Sequence, residues 1–277
     1  MREAETRLSD LHLREWIPES PRGSLLLVHG FGEHSGRHRA NGEFFARKGL
    51  ASFAFDLPGH GESAGRRAHI DRFSRYLETL DAVRAHVRGR FAPLPLFLLG
   101  HSFGGLVVLD ALLDGRTEGV RGAILSSPLL GVHPDTRPGP ALAGLARILS
   151  VALPALPFPN GIDPAHLSRD REVVAAYRQD PLVLHTASPR WFTETEAAMA
   201  RVKARAGSLG VEALVLYSGA DRIVDPLATR AFVAAAPPAL VRGVPFEGLS
   251  HEILNEPERA QVLEEAWAWL ERRLGDS

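Results

Sequence analysis

The sequence contains no cysteine among its 277 residues. Disulfide bonds, thiolate metal sites and a cysteine nucleophile are therefore excluded. An excess of charge of either sign is also lacking, because 32 Lys and Arg residues nearly balance 33 Asp and Glu residues for a formal net charge of −1. Such a chain has no general attraction to nucleic acid or to an anionic membrane. We therefore expect no nucleic-acid partner.

Long apolar runs are missing as well. The sequence has no stretch of the roughly 18 uncharged apolar residues that a transmembrane helix needs. The nearest approach, over residues 141–158, is interrupted by Arg147 and ends in two prolines. The first ten residues are charged and lack the apolar core of a secretory signal. We expect a soluble, cytoplasmic protein.

Short apolar runs alternate with helical patterns along most of the chain. The runs are typical of central strands in a parallel sheet and occur at residues 24–28, 51–55, 94–99, 122–125, 213–217 and 240–246. Apolar residues at helical spacing occupy residues 73–87 and 263–274. This alternation predicts an α/β layer fold. Residues 6–16 are predicted to add an antiparallel hairpin at the edge of the sheet.

Proline interrupts this alternation in the middle of the chain, where nine prolines lie between residues 131 and 190. This stretch contains one apolar helical pattern, at residues 141–153, and one amphipathic pattern, at residues 170–178. It has no clear strand. We interpret residues 132–190 as a helical cap, inserted into a core formed by residues 1–131 and 191–277.

One motif combines a small-residue turn with a serine. Residues 100–104 read G-H-S-F-G and lie between an apolar strand run and an apolar helical pattern at residues 106–113. In such a strand–turn–helix setting, the pattern G-x-S-x-G forms a sharp turn that exposes the serine at the carboxyl end of the strand. Ser102 is therefore the predicted nucleophile.

A serine hydroxyl needs a base, and the base needs an acid that orients it. Of the four histidines that follow Ser102, only His251 comes after the last predicted strand, so it is the predicted base. Two acids follow the preceding strand. Asp221 comes first, whereas Asp225 precedes Pro226 in a pattern typical of a capped helix start. We favour Asp221 as the acid and keep Asp225 as the alternative.

The oxyanion of an acyl-transfer reaction needs two backbone N–H donors. The predicted donors are Phe103, directly after the nucleophile, and Phe31, which lies between two glycines in the loop after the first strand run. The same loop carries His29, His34 and His38 without an accompanying carboxylate pattern. We therefore expect no metal and no organic cofactor.

Several segments resemble those of one known family. The segments are residues 29–37 (H-G-F-G-E-H-S-G-R), 56–63 (D-L-P-G-H-G-E-S) and 99–105 (L-G-H-S-F-G-G), together with residues 167–169 and 177–182 of the predicted cap. They are similar to segments of monoacylglycerol lipases, although Phe103 occupies a position where many members carry Met. The resemblance implies the α/β-hydrolase fold, a mostly parallel central sheet with helices on both faces and an inserted helical cap.

The resemblance also implies an activity and assigns residues to it. It implies a serine ester hydrolase that cleaves monoacylglycerols, with Ser102, Asp221 and His251 as the triad and Phe31 and Phe103 as oxyanion donors. Asp56, His60 and Glu62 are interpreted as residues that order the loop beside the site.

By the same resemblance, Arg37 and Tyr177 lie near the glycerol head group. From the residues alone, Arg37 could as well be a solvated surface charge or part of a loop-fixing ion pair as a head-group contact, and Tyr177 could as well pack the cap as touch the substrate. Leu145 and Leu149, in the apolar cap helix, are predicted to line an acyl tunnel; a helix buried on the sheet is the alternative. The expected partners are a small lipid ester and, transiently through the cap, a membrane or micelle.

Fold and triad alone do not choose the substrate. Lysophospholipids, short carboxylesters and peptides with a free N-terminus are alternatives, as is a non-catalytic binding protein of the same fold. A phosphate-binding pocket would draw on basic cap residues, namely Arg169, Arg171 and Arg178. An ammonium-binding site would draw on acidic cap residues, namely Asp163, Asp170, Glu172 and Asp180.

Overall fold

The computed structural model describes residues 1–275 of the chain. These residues contain ten β-strands and eight α-helices. The strands are β1 (Arg2–Leu8), β2 (Leu11–Ile17), β3 (Gly23–Val28), β4 (Leu50–Phe55), β5 (Leu96–His101), β6 (Val120–Ser126), β7 (Phe158–Pro159), β8 (Thr186–Ala187), β9 (Ala213–Ser218) and β10 (Val241–Phe246). The α-helices are α1 (Arg39–Arg47), α2 (Ser74–Phe91), α3 (Phe103–Leu113), α4 (Pro140–Ala152), α5 (Arg171–Gln179), α6 (Pro189–Ala204), α7 (Pro226–Ala235) and α8 (Arg259–Leu274). Short 3-10 helices occupy Ser35–His38, Pro164–His166 and Ala206–Ser208.

Eight strands form one sheet in the order β1-β2-β4-β3-β5-β6-β9-β10. The six strands from β4 to β10 in this order are parallel, and β1 and β2 add an antiparallel edge. The predicted α/β sheet and edge hairpin are therefore confirmed. Because the carboxyl ends of parallel strands meet at one edge, the loops after β3, β5, β9 and β10 all reach the same side of the molecule.

The apolar strand runs are explained by burial on both faces of the sheet. In β3, Leu26 packs into a core on one face with α2 and α3, whereas Leu25 and Leu27 pack into a second core with α1 and α8. Every residue of β3, β4, β5 and β9 is buried. Such strands carry no polar–apolar alternation because neither face meets water.

The chain between β6 and α6 forms the cap region. The predicted helical stretches appear as α4 and α5, and β7 pairs with β8 where the sequence predicted no strand. These two strands have two residues each, too short for a periodic pattern to reveal. The helix α6 begins at Pro189, so the predicted cap boundary after residue 190 falls in its first turn.

The apolar cap helix α4 is largely exposed, contrary to the alternative of a helix buried on the sheet. Its one buried residue is Ser150, whereas Ile148 and Val151 are 67% and 77% exposed. Within residues 1–275, none of the helices has both the length and the apolarity needed to traverse a bilayer.

Candidate active site

The turn between β5 and α3 presents Ser102. Its φ is +51°, a left-handed conformation that a non-glycine residue rarely adopts. The turn is tight: a Cβ atom at Gly104 would lie 2.1 Å from the carbonyl oxygen of Val28, and one at Gly100 would lie 2.6 Å from that of Gly104. Glycine at both positions therefore lets the backbone make the sharp elbow that the motif predicts.

Ser102, His251 and Asp221 form one chain of hydrogen bonds. The Nε2 atom of His251 lies 2.9 Å from Oγ of Ser102, and its Nδ1 atom lies 2.7 Å from Oδ2 of Asp221. All three residues are buried, with at most 9% of their surface exposed. The structure thus brings together the three residues expected to form the triad, from the loops after β5, β9 and β10.

The two candidate acids have different tasks in the structure. The Oδ1 atom of Asp221 accepts hydrogen bonds from the backbone of Ile223 and Val224, which leaves Oδ2 for His251. The carboxylate of Asp225 instead accepts the N–H of Leu227 and caps α7. Asp225 therefore has the helix-capping role that its place before a proline suggests.

The ring of His251 is electrostatically prepared to gain a proton. Burial disfavours its charged form, but the charge and hydrogen bond of Asp221 outweigh burial and raise the pKa of His251 above its ordinary value of 6.5. His101 lies beside it, with ring centroids 5.1 Å apart. Burial lowers the pKa of His101 to about 4, so this neighbouring ring is neutral at pH 7.

The loop after β3 approaches the nucleophile closely. A Cβ atom at Gly30 would lie 3.3 Å from Cβ of Ser102, so a larger residue would crowd the elbow. Phe31 follows in the loop and stacks on Trp191 with 3.7 Å between ring centroids. Phe103 is the first residue of α3, where a backbone N–H has no acceptor within the helix. The oxyanion role of the Phe31 and Phe103 N–H groups stays a prediction.

The same loop, residues 29–36, is fixed by buried polar groups. The Asp56 carboxylate accepts the backbone N–H groups of Ser35 and Glu62 at 2.7 and 2.8 Å. Nε2 of His29 accepts the N–H of Leu57. Nε2 of His34 lies 2.8 Å from the carboxylate of Asp180 in the cap region. These contacts support the interpretation of Asp56 as a residue that orders the loop.

Arg37 lies between the carboxylates of Glu33 and Glu252, neither of which the sequence pattern indicated as a site residue. Its guanidinium donates to both oxygens of Glu252 at 2.6 and 2.9 Å and to Glu33 at 2.9 Å. It also lies over the ring of Tyr177, 4.8 Å from the centroid. Although burial opposes ionisation, His38 and Arg37 hold the pKa of Glu33 well below its ordinary value, and Arg37 lowers the pKa of Glu252. The one sequence signal for Glu252 is that it directly follows His251.

Two neighbouring cavities open at this site. The first, of about 290 Å³, is lined by Ser102 and His251 and also by Arg37 and Tyr177. The second, of about 360 Å³, lies under α4 and is lined by apolar residues that include Leu145 and Leu149. The two cavities share six lining residues: Pro138, Leu142, Pro159, Asn160, Trp191 and Phe192. The predicted head-group residues therefore line the first cavity and the predicted acyl residues line the second.

Comparisons with known proteins agree with this architecture. A family model described as serine aminopeptidase, S33, matches residues 19–258. The chain is 33% identical to a monoacylglycerol lipase of Mycolicibacterium smegmatis over 92% of this chain and 90% of the relative. It is also 33% identical to phospholipase YtpA of Bacillus subtilis, over 93% and 98% of the two chains. The crystal structure of Paleococcus ferrophilus monoacylglycerol lipase is similar with a TM-score of 0.86 and 30% identity, covering 99% of this chain and 100% of that one.

Proposed function

The chain belongs to the family described as serine aminopeptidase, S33, and we propose that within this family it cleaves monoacylglycerols to fatty acid and glycerol through an acyl-enzyme on Ser102. It is a serine ester hydrolase with the α/β-hydrolase fold. The observation that carries the proposal is the hydrogen-bond chain from Asp221 through His251 to Ser102, at the wall of a cavity that adjoins an apolar one. Relatives named monoacylglycerol lipase support the substrate.

The proposed reaction begins when Nε2 of His251 removes the proton of Ser102 as its oxygen attacks the ester carbonyl carbon. The N–H groups of Phe31 and Phe103 stabilise the oxyanion of the tetrahedral intermediate. Asp221 holds the ring and stabilises its cationic form. His251 then gives the proton to the glycerol oxygen as the ester C–O bond breaks, and glycerol leaves. A water molecule, deprotonated by His251, attacks the acyl-enzyme in the same way and releases the fatty acid.

In this proposal the first cavity takes the glycerol head group. Tyr177 is 2% exposed, and its hydroxyl has no hydrogen-bond partner among residues 1–275. A buried hydroxyl without a partner is costly, so an alcohol group of the substrate would satisfy it. Arg37 and the two carboxylates that it binds form the polar wall beside it. The second cavity, lined by Leu145 and Leu149, would take the acyl chain.

The exposed face of α4 supports a transient contact with a membrane or micelle. Leu142, Leu145, Ile148 and Val151 are between 47% and 77% exposed on one helix. A contiguous apolar surface of this kind is typical of an interaction site, and here it adjoins the proposed acyl cavity. We propose that α4 rests on a lipid surface from which the substrate enters. A cytoplasmic location stays a prediction.

A lysophospholipid is the second candidate substrate, supported by the name of the Bacillus subtilis relative. Of the basic residues considered for phosphate, Arg169 binds Glu256 and Glu258, whereas Arg171 and Arg178 are exposed. The acidic residues considered for an ammonium group are partly engaged too. Asp170 caps α5 and Asp180 contacts His34, which weakens the peptide alternative, while Asp163 lines the first cavity.

A panel of substrates tests the proposal. Fatty-acid release is measured from 1-monoacylglycerol, lysophosphatidylcholine and triacylglycerol at matched concentration, with Ser102→Ala as the control. We expect the highest kcat/KM for the monoacylglycerol and loss of nearly all turnover in Ser102→Ala. A higher kcat/KM for lysophosphatidylcholine would replace the monoacylglycerol by the second candidate. An unreactive Ser102 towards a fluorophosphonate would favour the non-catalytic binding protein.

A further inference from the structure

The predicted base lies on a segment with little structure of its own. Residues 247–258, here called the base loop, connect β10 to α8 and contain neither helix nor strand. A loop without a backbone ladder holds a side chain in place only through bonds to its neighbours, and a misplacement of about 1 Å in an active site costs up to 100-fold in rate. The bonds that fix this loop therefore matter for His251.

Three consecutive residues of the cap region supply such bonds. The carbonyl oxygen of Leu167 accepts the N–H of Glu252, the residue after His251, at 2.8 Å. The hydroxyl of Ser168 donates to the carbonyl oxygen of Asn255 at 3.3 Å. These contacts run along one stretch of the base loop, and we call residues 167–169 the anchor segment.

The third residue of the anchor segment makes the strongest contact. The backbone N–H and the Nε atom of Arg169 donate to the two carboxylate oxygens of Glu256, each at 2.6 Å. Glu256 is fully buried, whereas the side chain of Arg169 is 46% exposed. A buried carboxylate is costly unless it is paired and hydrogen-bonded, so Glu256 is held to the cap region by charge-assisted bonds.

We propose that the anchor segment positions the general base and that the Arg169–Glu256 pair is the main contact that holds the base loop in place. The inference rests on the proposed catalytic role of His251. It gives Arg169 a task other than phosphate binding, because its guanidinium is already bound to Glu256 and Glu258. In this arrangement the cap region completes the core site, and Arg169 is a positioning residue that does not touch the reacting atoms.

The pKa of His251 depends on where its ring lies relative to the titratable groups that surround it. Asp221 faces it from the loop after β9, His101 from β5, Glu33 from the loop after β3, and Glu252 from the base loop itself. The substitution Arg169→Ala alters none of these four groups, so it can change the pKa of His251 by moving the ring. If the base loop shifts, His251 moves away from Asp221, and the stabilisation of its charged form decreases.

The test is the rate at which a fluorophosphonate labels Ser102 as a function of pH, because labelling requires the base but no particular ester. For Arg169→Ala we expect a labelling rate about 10- to 100-fold lower at the pH plateau. We also expect the acidic midpoint of the profile to move to lower pH. Arg169→Lys, which keeps a cation but loses the planar fork that reaches both Glu256 and Glu258, should recover part of the rate. If Arg169→Ala does not fold, Arg169→Lys decides, with several-fold slower labelling and a smaller shift.

Arg201→Ala is the matched control. Arg201 is also about half exposed and donates through Nε and NH2 to a buried carboxylate, that of Asp110, but it joins α6 to α3 away from the base loop. We expect it to lower the unfolding temperature as Arg169→Ala does and to label at the wild-type rate with an unshifted midpoint.

Three results would overturn the inference. The first is wild-type labelling and an unshifted midpoint in Arg169→Ala; the second is a change only in KM for lysophosphatidylcholine, which would make Arg169 a phosphate ligand. The third is a wild-type protein that does not label, which would remove the proposed function as well. A labelled wild type that fails to cleave monoacylglycerol overturns the proposed substrate alone.

Discussion

Asp221 holds His251 through a hydrogen bond of 2.7 Å from Nδ1 to Oδ2. Asp221→Asn removes the negative charge and favours the wrong tautomer of the ring, so we expect kcat to fall by a factor on the order of 10⁴. Asp225→Asn is the matched control, because asparagine caps a helix as well as aspartate does and this carboxylate faces α7. Steady-state kinetics on a soluble ester measure both variants. If Asp225→Asn is the more damaging change, the acid is assigned to the wrong residue.

The raised pKa of His251 predicts the acidic limb of the pH profile. The base must be neutral to accept a proton, so activity is lost as the pH falls through the pKa of His251. Because Asp221 raises that pKa above 6.5, we expect the midpoint of the limb in kcat/KM above pH 6.5. In Asp221→Asn the residual activity should have its midpoint at lower pH. A wild-type midpoint well below 6.5 would contradict the electrostatic role of Asp221.

The sequence predicted which side chains meet at the candidate site because they lie at recognisable points of the chain's pattern of strands and helices. Ser102 sits where an apolar strand meets an apolar helix, and His251 is the one histidine after the last strand. Sequence pattern alone favoured Asp221 over Asp225 as the acid but did not exclude Asp225. Only the three-dimensional course of the loop shows which carboxylate reaches the ring, because both follow β9 within a few residues.

Contacts between distant loops were out of reach of the sequence. Glu252 lies 215 positions from Arg37, and nothing local marks it as a partner of Arg37, whereas Glu33 is only four positions away. The anchor segment resembles a family segment in sequence, but its partner Glu256 lies 87 positions from Arg169. Periodicity reports which face of an element is buried, not which loops meet.

Removing Arg37 should destabilise the fold through the carboxylates left behind. In Arg37→Met, Glu33 and Glu252 lose their shared cation while remaining buried, and breaking a buried pair in this way costs about 3–5 kcal/mol. Denaturant unfolding at pH 7 measures the loss. Arg39→Met is the control: Arg39 also binds two carboxylates, of Glu3 and Glu43, but its side chain is 63% exposed, so we expect an unchanged midpoint.

The pH dependence of that loss follows from the direction of the pKa shifts. In the wild type, Arg37 lowers the pKa of Glu252, and His38 together with Arg37 lowers that of Glu33, so the stabilisation that Arg37 provides is present above about pH 4.5 and is lost as the pH falls towards the lowered values. Without Arg37 the buried carboxyls protonate more readily. The difference between wild type and Arg37→Met should therefore shrink in acid, and a difference that grows there would contradict this account.

A charge on the exposed face of α4 should separate lipid contact from catalysis. Ile148 is 67% exposed and lines neither cavity, so Ile148→Glu alters the surface without altering the proposed sites. We expect at least severalfold weaker binding to phosphatidylcholine vesicles and slower hydrolysis of vesicle-borne monoacylglycerol, because an acidic side chain opposes insertion into the interface. Hydrolysis of a short, water-soluble ester should stay at the wild-type rate.

Leu227→Glu provides the comparison for this prediction. Leu227 is 69% exposed and Ile148 is 67% exposed, but Leu227 lies on α7 and lines neither cavity. Vesicle sedimentation and rates on the two forms of substrate are measured for both variants side by side. Equal vesicle binding by the two variants would show that α4 has no special role at the lipid surface. Because both changes add one negative charge at an equally exposed position, a loss confined to Ile148→Glu cannot arise from net charge and assigns the lipid contact to α4.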